Sequence, residues 1–284
     1  MRVLLLGAGG MLGHDLLATA PDGVDVVPLA RRDLDITDYG GVERAVRDVR
    51  PDVIVNAAAY TGVDRAEAEP ELAMRVNGEA VGELGRVAKA AGARMVHFSS
   101  DYVFDGTAER PYREDDPPHP VNAYGASKLA GETALRASGT EALIIRTQWL
   151  FGAHGRSFPR TMWERAARRE PTRVVNDQFG RPTYTLDLAT ATWQLVGSGE
   201  GGLVHVANGG VASWFQVARE VFRHAGCSDL VQPCTTAEYP TPARRPRYSV
   251  LDTAAFERGI GAALPHWCDA VARFLAQLGT LPVP

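Results

Sequence analysis

Tyr124 and Lys128 stand four positions apart in the segment Tyr124-Gly-Ala-Ser-Lys128, a spacing that can support acid–base chemistry. On a helix this spacing places both side chains on one face, about one turn apart. A free tyrosine has a pKa of about 10 and transfers protons poorly at neutral pH. A lysine ammonium about 4 Å away would favour the phenolate by roughly 4 kcal/mol, so we expect Lys128 to lower the pKa of Tyr124 towards neutrality.

A second candidate site lies near the start of the chain, where the apolar segment Arg2-Val-Leu-Leu-Leu-Gly7 runs into a glycine-rich turn at residues 7–13. Glycines let the backbone approach a pyrophosphate, and the helix that follows offers its N-terminal amides. Together with the Tyr124–Lys128 pair, this turn predicts a nicotinamide-dependent oxidoreductase. Taken alone, Tyr124 could equally be a packing residue and Lys128 a solvated charge.

The end of the second predicted strand indicates which cofactor is used. Arg31 and Arg32 stand where NAD-specific proteins often have an acid for the ribose 2′-hydroxyl. Guanidinium groups there would accept a 2′-phosphate, which favours NADPH over NADH, although two solvated surface arginines are the alternative. After the third strand, the small residues of Ala57-Ala58-Ala59-Tyr60 would let a nicotinamide ribose lie close to the backbone.

The fourth predicted strand ends in Ser99-Ser100-Asp101. Carboxyl ends of parallel strands face the ligand crevice of a doubly wound sheet, so these side chains are candidates for contact with a substrate carbonyl. A serine-rich cap of the following turn is the alternative. The Pro/Arg-rich stretch at residues 239–247 predicts an exposed loop, in which Arg244 and Arg245 are candidates for binding a substrate diphosphate. A solvated charged loop is the alternative there.

The elements that must position these residues alternate between short β-rich runs and amphipathic or Ala-rich helices. This pattern predicts an α/β fold with a Rossmann-like doubly wound parallel sheet. We expect residues 1–150 to form the NADPH-binding domain and residues 151–284 mainly a smaller substrate-binding domain, from which later segments could return to the first. Asp38 is the expected N-cap of the second helix. Strands are predicted at residues 2–7, 24–30, 52–57, 94–99, 142–146, 173–176 and 203–207, and helices at 12–19, 39–49, 73–91, 124–137, 158–169, 186–197 and 267–278.

Composition excludes several classes of protein. A net charge of −4 without a long basic run argues against nucleic-acid or membrane-surface binding. The N-terminal apolar stretch is too short for a signal peptide or a membrane span. Cys227, Cys234 and Cys268 lack metal-type spacing and the seven histidines are scattered. We therefore expect reduced thiols, a cytoplasmic protein and no metal site.

Nine segments together carry a resemblance to a known family. They are Gly7-x-x-Gly10-Met-Leu-Gly13, Asp33-Leu-Asp35-Ile-Thr, Asn56-Ala-Ala-Ala-Tyr-Thr, Asp64-Arg-Ala-Glu, Ser100-Asp-Tyr-Val-Phe-Asp-Gly106, Tyr124-Gly-Ala-Ser-Lys128-Leu-Ala-Gly-Glu132, Arg146-Thr-Gln-Trp149, Val175-Asn-Asp177-Gln-Phe-Gly180-x-Pro-Thr183 and Arg244-Arg-Pro-x-x-Ser249-Val-Leu-Asp252. In these segments the chain resembles the extended short-chain dehydrogenase/reductases and, within them, the dTDP-4-dehydrorhamnose reductase family.

The resemblance implies reduction of the C4 ketone of dTDP-4-dehydro-L-rhamnose by NADPH, yielding dTDP-L-rhamnose, with NADH as the other possible cofactor. It implies that Tyr124 protonates the developing alkoxide, that Lys128 holds the cofactor ribose, and that Ser100 donates to the same oxygen. The implied cofactor contacts are Gly10, Met11, Leu12, Asp35, Ile36, Ala58, Ala59 and Tyr60. The implied sugar contacts are Thr61, Ser100, Asp101, Tyr102, Phe104 and Trp149, with core packing as the alternative for Phe104 and Trp149.

The chain also departs from the family pattern. Ser100 replaces the usual threonine, which keeps the hydroxyl but removes a methyl group from the pocket, and Ser157 lies where the family often has asparagine. Asp15 and Leu186 stand where some relatives have the glutamates of a magnesium-bridged dimer, so we expect a monomer or a homodimer without bridging metal. Two alternative functions stay open: a 4-ketoreductase acting on another nucleotide-activated deoxysugar, and a non-catalytic NADP-binding regulatory subunit.

Overall fold

A six-stranded parallel sheet lies at the centre of the protein, whose computed structural model describes residues 1–279. The strands, in chain order, are β1 (Arg2–Leu6), β2 (Asp25–Leu29), β3 (Val53–Asn56), β4 (Arg94–Ser100), β5 (Ala142–Thr147), β6 (Leu150–Phe151), β7 (Thr172–Val175), β8 (Phe179–Gly180), β9 (Thr183–Tyr184), β10 (Gly202–His205), β11 (Ala212–Ser213) and β12 (Val231–Cys234). The large sheet has the order β2-β1-β3-β4-β5-β10. Because β2 and β3 lie on opposite sides of β1, a ligand crevice is expected at the carboxyl ends of these strands.

Helices cover both faces of this sheet. They are α1 (Met11–Ala18), α2 (Tyr39–Val49), α3 (Val63–Ala68), α4 (Pro70–Met74), α5 (Ala80–Ala91), α6 (Ala123–Ser138), α7 (Phe158–Ala167), α8 (Thr185–Ser198), α9 (Trp214–His224), α10 (Ala254–Ile260) and α11 (Trp267–Leu278). A π-helical turn, Arg75–Glu79, joins α4 to α5. Within residues 1–279, no helix has the length and apolar character needed to cross a membrane.

Strand β1 shows how the sequence produces these layers. Val3 and Leu5 are buried in the core that contains α1 and α8, whereas Leu4 and Leu6 are buried in the core on the α2 and α5 side. Alternate side chains of a strand point to opposite faces, so a strand covered on both faces needs an uninterrupted apolar run. The glycine-rich turn therefore begins where this run ends, at the carboxyl edge of the sheet.

A second core lies beyond the sheet. It packs α7, α9 and α11 with the parallel pair β7–β12, and Phe151, Phe222 and Phe274 are fully buried in it. Helix α8 and strand β10 belong to the first core instead, because β10 pairs with β5 and Leu188 of α8 packs with the large sheet. A domain division near residue 150 stays a prediction, with α8 and β10 returning to the first part of the chain.

The predicted α/β fold is confirmed, and the predicted strands and helices are present to within a few residues, except that the single helix predicted at 73–91 is divided into the end of α4, a π-helical turn and α5. Asp38 caps α2 by accepting from the Gly41 N–H at 3.0 Å. The stretch at residues 239–247 contains no helix or strand, which confirms the predicted loop, and most of it is exposed or half-buried, although Ala243 and Pro246 are buried. The sequence did not indicate α3, α4, α9, α10, β12 or the two-residue strands β6, β8, β9 and β11.

Candidate active site

The turn between β1 and α1 brings the backbone close to where a ligand would lie. Gly7 has a φ of 78°, and a Cβ at this position would come within 2.5 Å of the Ala58 nitrogen. Gly10 caps α1 without a side-chain hydrogen bond, whereas Asp38 and Asn122 cap α2 and α6 through their side chains. No side chain in the described part of the chain caps the first amides of α1, and these amides fit the pyrophosphate of a dinucleotide.

Two accessible arginines follow β2. The side chains of Arg31 and Arg32 are 85% and 89% exposed, and each makes one long ion pair, Arg31 with Asp35 at 3.4 Å and Arg32 with Asp33 at 3.6 Å. Hydrogen bonds from the Thr37 N–H and hydroxyl lower the pKa of Asp35. Exposed pairs of this kind contribute little free energy. Both guanidinium groups can therefore turn to a 2′-phosphate, and they fit NADPH.

The segment after β3 is fixed by two buried asparagines. Asn56 Oδ1 accepts from the Ala58 N–H at 3.1 Å. Asn77, on the π-helical turn, accepts from the Tyr60 N–H at 2.8 Å and donates to the Tyr60 carbonyl at 3.0 Å. Asn77 Nδ2 also donates to Ser127 Oγ at 3.0 Å, which ties this segment to α6. No sequence motif distinguishes Asn77, although π-helical turns occur frequently at functional sites.

Ser100 and Asp101 form a buried polar group at the end of β4. Ser100 Oγ donates to Asp101 Oδ1 at 3.0 Å and accepts from the Tyr102 N–H at 3.1 Å. Ser249 donates to the other carboxylate oxygen of Asp101 at 2.5 Å. Burial raises the pKa of Asp101 to about 7, although the two serine hydroxyls act in the opposite direction. Asp101 thus holds Ser100 in a defined orientation at the carboxyl edge of the sheet.

Helix α6 carries Tyr124 and Lys128 one turn apart. Lys128 is 2% exposed, and its Nζ donates to the Phe98 carbonyl of β4 at 2.6 Å. One turn further along the helix, the buried Glu132 carboxylate accepts two hydrogen bonds from Arg146 of β5, at 2.8 and 2.7 Å. This ion pair and the Lys128 hydrogen bond fix α6 against the sheet, beside Ser100.

The pKa of Tyr124 differs from the one expected from the sequence. It is raised to about 12, first by burial and second by the charge of Asp101, while the Ser100 hydroxyl acts in the opposite direction. The predicted lowering by Lys128 is therefore wrong, because burial of the phenol dominates. Burial also lowers the pKa of Lys128 to about 8, against the opposing effect of Glu132. At neutral pH Tyr124 is a neutral phenol, the form that can donate a proton.

Aromatic side chains stand around this group. The Tyr102 ring meets the Tyr124 ring edge-on, with centroids 5.8 Å apart. Trp149, which follows β5 at the same edge of the sheet, has a left-handed backbone with a φ of 49° and stacks on Trp214 at 3.7 Å. A Cβ at Gly180 would lie 2.5 Å from the Trp149 ring, so the indole needs glycine at that position.

Phe104 does not face the crevice. Its side chain is fully buried and stacks on the Tyr112 ring at a centroid distance of 4.1 Å, with the Arg146 guanidinium 5.0 Å from its centroid. The ring also belongs to a small buried cluster with Val103, Tyr112 and Leu251. We therefore correct the expected sugar contact at Phe104 to core packing, the alternative that the sequence had left open.

The predicted diphosphate contacts have unequal environments. Arg244 is exposed, and its carbonyl accepts from Asn122 Nδ2 at 2.8 Å. The half-buried Arg245 guanidinium donates to both oxygens of the Asp64 carboxylate, with Nη2 to Oδ2 at 2.8 Å. The loop also passes close to Gly106, where a Cβ would lie 2.5 Å from Pro246. Arg245 is therefore a fixed, partly neutralised cation, whereas Arg244 forms no ion pair with any of residues 1–279.

The remaining predicted residues lie around the same edge. Four of them are half-buried, namely Met11, Ala57, Ala58 and Tyr60, and two are exposed, Ala59 and Thr61. Leu12 is buried in the core that contains α1 and α8, and Ile36 is buried in the core on the α2 and α5 side of the sheet. Four residues that position the site were given no role from the sequence: Asp64, Asn77, Asn122 and Ser249. Asp64 and Ser249 lie within the quoted family motifs, which was the available signal. Among residues 1–279, no group of three or more His, Cys, Asp or Glu side chains could hold a metal ion.

A family model described as the RmlD substrate binding domain matches residues 1–280. The chain belongs to this family. As an RmlD-family protein it is 42% identical to a dTDP-4-dehydrorhamnose reductase from Burkholderia thailandensis, over 98% of this chain and 99% of the relative. It is also 42% identical to a dTDP-4-keto-6-deoxy-D-glucose reductase from Streptomyces niveus, over 96% of each chain. A crystal structure of dTDP-4-dehydrorhamnose reductase from Bacillus anthracis in complex with NADP superposes with a TM-score of 0.93 at 37% identity, covering 97% of this chain and 99% of that one.

Proposed function

We propose that this protein uses NADPH to reduce the C4 ketone of dTDP-4-dehydro-L-rhamnose to dTDP-L-rhamnose. The observation that carries this function is the meeting of Ser100, Tyr124 and Lys128 at the carboxyl edge of the sheet, beside the uncapped N-terminus of α1, in an RmlD-family chain. The protein is an oxidoreductase and its substrate is a dTDP-linked sugar.

The residues that would hold NADPH are distributed along three strand ends. The amides of α1 after Gly10 would bind the pyrophosphate, Arg31 and Arg32 the 2′-phosphate, and Lys128 the nicotinamide ribose beside residues 57–60. NADPH, when bound, supplies the hydride that reduces the ketone carbon. Asp35 would keep Arg31 near the phosphate through its ion pair.

Tyr124 would donate its phenolic proton to the ketone oxygen as the ketone carbon accepts hydride, so that the ketone becomes a secondary alcohol. The raised pKa of Tyr124 keeps this proton in place until negative charge develops on that oxygen. Ser100 would donate to the same oxygen and stabilise its developing charge. Asp101 would orient Ser100, since the two side chains are hydrogen-bonded.

A second candidate is a 4-ketoreductase that yields another deoxysugar. The observation that favours it is the 42% identity to the Streptomyces niveus reductase, the same identity as to the Burkholderia thailandensis protein. Both candidates use the same proton donor and cofactor. They differ in the shape of the sugar pocket, where Ser100 and Trp149 are the proposed contacts.

A turnover panel tests both candidates. The protein is incubated with NADPH and a series of dTDP-4-dehydro sugars, oxidation of NADPH is followed by absorbance, and the configuration at C4 of each product is determined by NMR. Preferred turnover of dTDP-4-dehydro-L-rhamnose to the L-rhamno product supports the first candidate. Preferred turnover of another sugar supports the second, and NADPH binding without turnover of any sugar would instead indicate a regulatory subunit.

We also propose a cytoplasmic location, supported by the free thiols of Cys227, Cys234 and Cys268, since extracellular proteins of this kind would tend to pair them. A monomer and a homodimer are both compatible with the proposed reaction. Analytical ultracentrifugation at micromolar concentration distinguishes the two states.

A further inference from the structure

His97 lies in β4, three residues before Ser100, and has had no role in the site so far. It is 1% exposed, and its ring contacts polar atoms at both nitrogens. Nε2 lies 3.4 Å from Lys128 Nζ, and Nδ1 lies 3.3 Å from Asn56 Nδ2. Burial, with the Lys128 charge as a smaller cause, holds the pKa of His97 well below its usual range, so the ring is neutral. A neutral imidazole has one N–H and one acceptor nitrogen, and its neighbours decide which is which.

The hydrogen-bonding role of Asn56, the neighbour of His97 Nδ1, can be assigned. Asn56 Oδ1 accepts from the Ala58 N–H at 3.1 Å, and a backbone N–H can only donate. The Asn56 amide therefore cannot be turned round without placing two donors against each other. Its Nδ2 group must point to His97 and donate to Nδ1. The proton of the neutral His97 ring then resides on Nε2, the nitrogen that faces Lys128.

Lys128 Nζ therefore faces a hydrogen-bond donor, the Nε2–H of His97. A lysine ammonium has three N–H donors and no acceptor, so an Nε2–H and an ammonium face each other unfavourably, whereas the neutral amine of Lys128 can accept from Nε2–H. Among residues 1–279, the other titratable groups near Lys128 on α6 are Glu132 one turn further along, whose carboxylate is already paired with Arg146 of β5, and the neutral phenol of Tyr124 one turn before. Glu132 favours the ammonium, and burial opposes it.

We propose that His97 is a positioning residue of the reductase: Asn56 holds it in the Nε2–H form, and it donates to the Lys128 amine, so that Lys128 releases its proton more readily. The connection runs from the Ala58 N–H through Asn56 and His97 to Lys128. It links the backbone segment that would lie against the nicotinamide ribose to the lysine that would bind that ribose. The role rests on the proposed function, but the protonation states do not.

The first test is the tautomer of His97 in the wild-type protein. In a long-range ¹H–¹⁵N spectrum of histidine-labelled protein, His97 should show an unprotonated Nδ1 and a protonated Nε2. His205 is a matched control, because it is also buried and its Nδ1 faces the Tyr112 carbonyl at 3.1 Å, which requires the opposite tautomer. The variants His97→Phe and His205→Phe assign the two signals. An Nδ1–H form or an imidazolium at His97 at neutral pH overturns the proposal.

The second test is the titration of Lys128, which the composition makes direct because the chain has only two lysines, Lys89 and Lys128. In protein labelled with ¹³C-lysine, the exposed Lys89 serves as an internal reference. The variant His97→Phe removes the N–H donor while keeping a ring, so the Lys128 midpoint should rise by about 0.5–1 pH unit, the size of one ordinary hydrogen bond. His205→Phe should leave this midpoint in place.

A fall in the Lys128 midpoint in His97→Phe would mean that Nε2 accepts from an ammonium, and an unchanged midpoint would mean no interaction; either result overturns the proposal. If His97→Phe does not fold, His205→Phe still identifies the His205 signal, the remaining signal of a buried histidine belongs to His97, and its wild-type tautomer alone decides. Neither measurement needs turnover. Loss of the expected protonation states in an active reductase therefore rejects the role of His97, whereas inactivity on every sugar rejects the proposed function and leaves the His97 result standing.

Discussion

At the β4–α6 seam, which we define as Ser100, Asp101, Tyr124 and Lys128, three of the four side chains are at most 7% exposed, whereas the Arg31 and Arg32 side chains beyond β2 are 85% and 89% exposed. The seam residues have several short hydrogen bonds and shifted pKa values. The arginines have one long ion pair each. Proton transfer needs atoms held in place with defined protonation, while recognition of a phosphate needs an accessible cation with weak competing partners. Substitutions in the seam should therefore change rates by orders of magnitude, and substitutions of the arginines should change preference more modestly.

The largest expected effect is that of Tyr124→Phe. Only the hydroxyl is removed, so turnover should fall about 10²–10⁴-fold through loss of the general acid. NADPH affinity should stay nearly unchanged, because the proposed cofactor contacts lie elsewhere. Steady-state turnover and a fluorescence titration of NADPH measure the two quantities. A variant that keeps more than about a tenth of wild-type kcat would show that Tyr124 is not the acid.

Arg245 and Arg244 test whether a fixed cation matters more than a free one. Arg245→Ala leaves the Asp64 carboxylate without its partner and loosens the loop, so we expect KM for the nucleotide sugar to rise about 10–100-fold. The neighbouring variant Arg244→Ala should raise it only a few-fold. KM for NADPH is the control and should not move in either variant. A larger rise in KM for Arg244→Ala than for Arg245→Ala would show that the ion pair between Arg245 and Asp64 is not important for substrate binding.

Arg31→Asp tests the exposed side of the comparison. The wild-type protein should have a higher kcat/KM with NADPH than with NADH, because the guanidinium group would bind the 2′-phosphate. The substitution replaces attraction by repulsion, so the ratio of the two kcat/KM values should fall by about tenfold or more. High salt should weaken the wild-type preference, since the charge is exposed. Equal use of both cofactors by the wild type would contradict the assignment.

The smallest effect concerns the pH dependence of kcat/KM. The pKa of Lys128 is lowered to about 8, so its ammonium is present below that pH and is lost as the pH rises through it. The rate should therefore decline above pH 8, by at most tenfold per unit. Tyr124, with a pKa raised to about 12, stays protonated throughout and should add no second limb. Lys128→Met serves as the control: its low residual rate should be flat between pH 7 and 9, and a decline at the same midpoint would assign the limb to another group.

Features that depend on local spacing could be predicted from the sequence. The four-residue spacing of Tyr124 and Lys128 places both on α6, and the apolar run before Gly7 ends in the turn before α1. Helix α9 also has a local signal that would predict its start, because Ser213 and Gln216 form a reciprocal capping box there.

Features that depend on distant contacts could not be predicted. Arg245 pairs with Asp64 across 181 positions of the chain, and no local pattern indicates such a partner. Asn77 acts through a π-helical turn within what the sequence suggests is one continuous helix. The predicted direction of the Tyr124 pKa shift was wrong, because the spacing reveals the neighbouring lysine but does not reveal the burial of the phenol.

The indole of Trp149 can occupy its position because Gly180 has no side chain. The left-handed backbone of Trp149 is unusual for a bulky residue, and it persists because the indole stacks on Trp214 and packs closely against Gly180. A single methyl group at Gly180 would clash with the Trp149 ring and displace the indole, which is a proposed contact of the sugar. A redesign of the sugar pocket that varied only the residues proposed to touch the sugar would leave Gly180 unchanged. The shape of the sugar pocket therefore also depends on Gly180, a residue that is not itself proposed to touch the sugar.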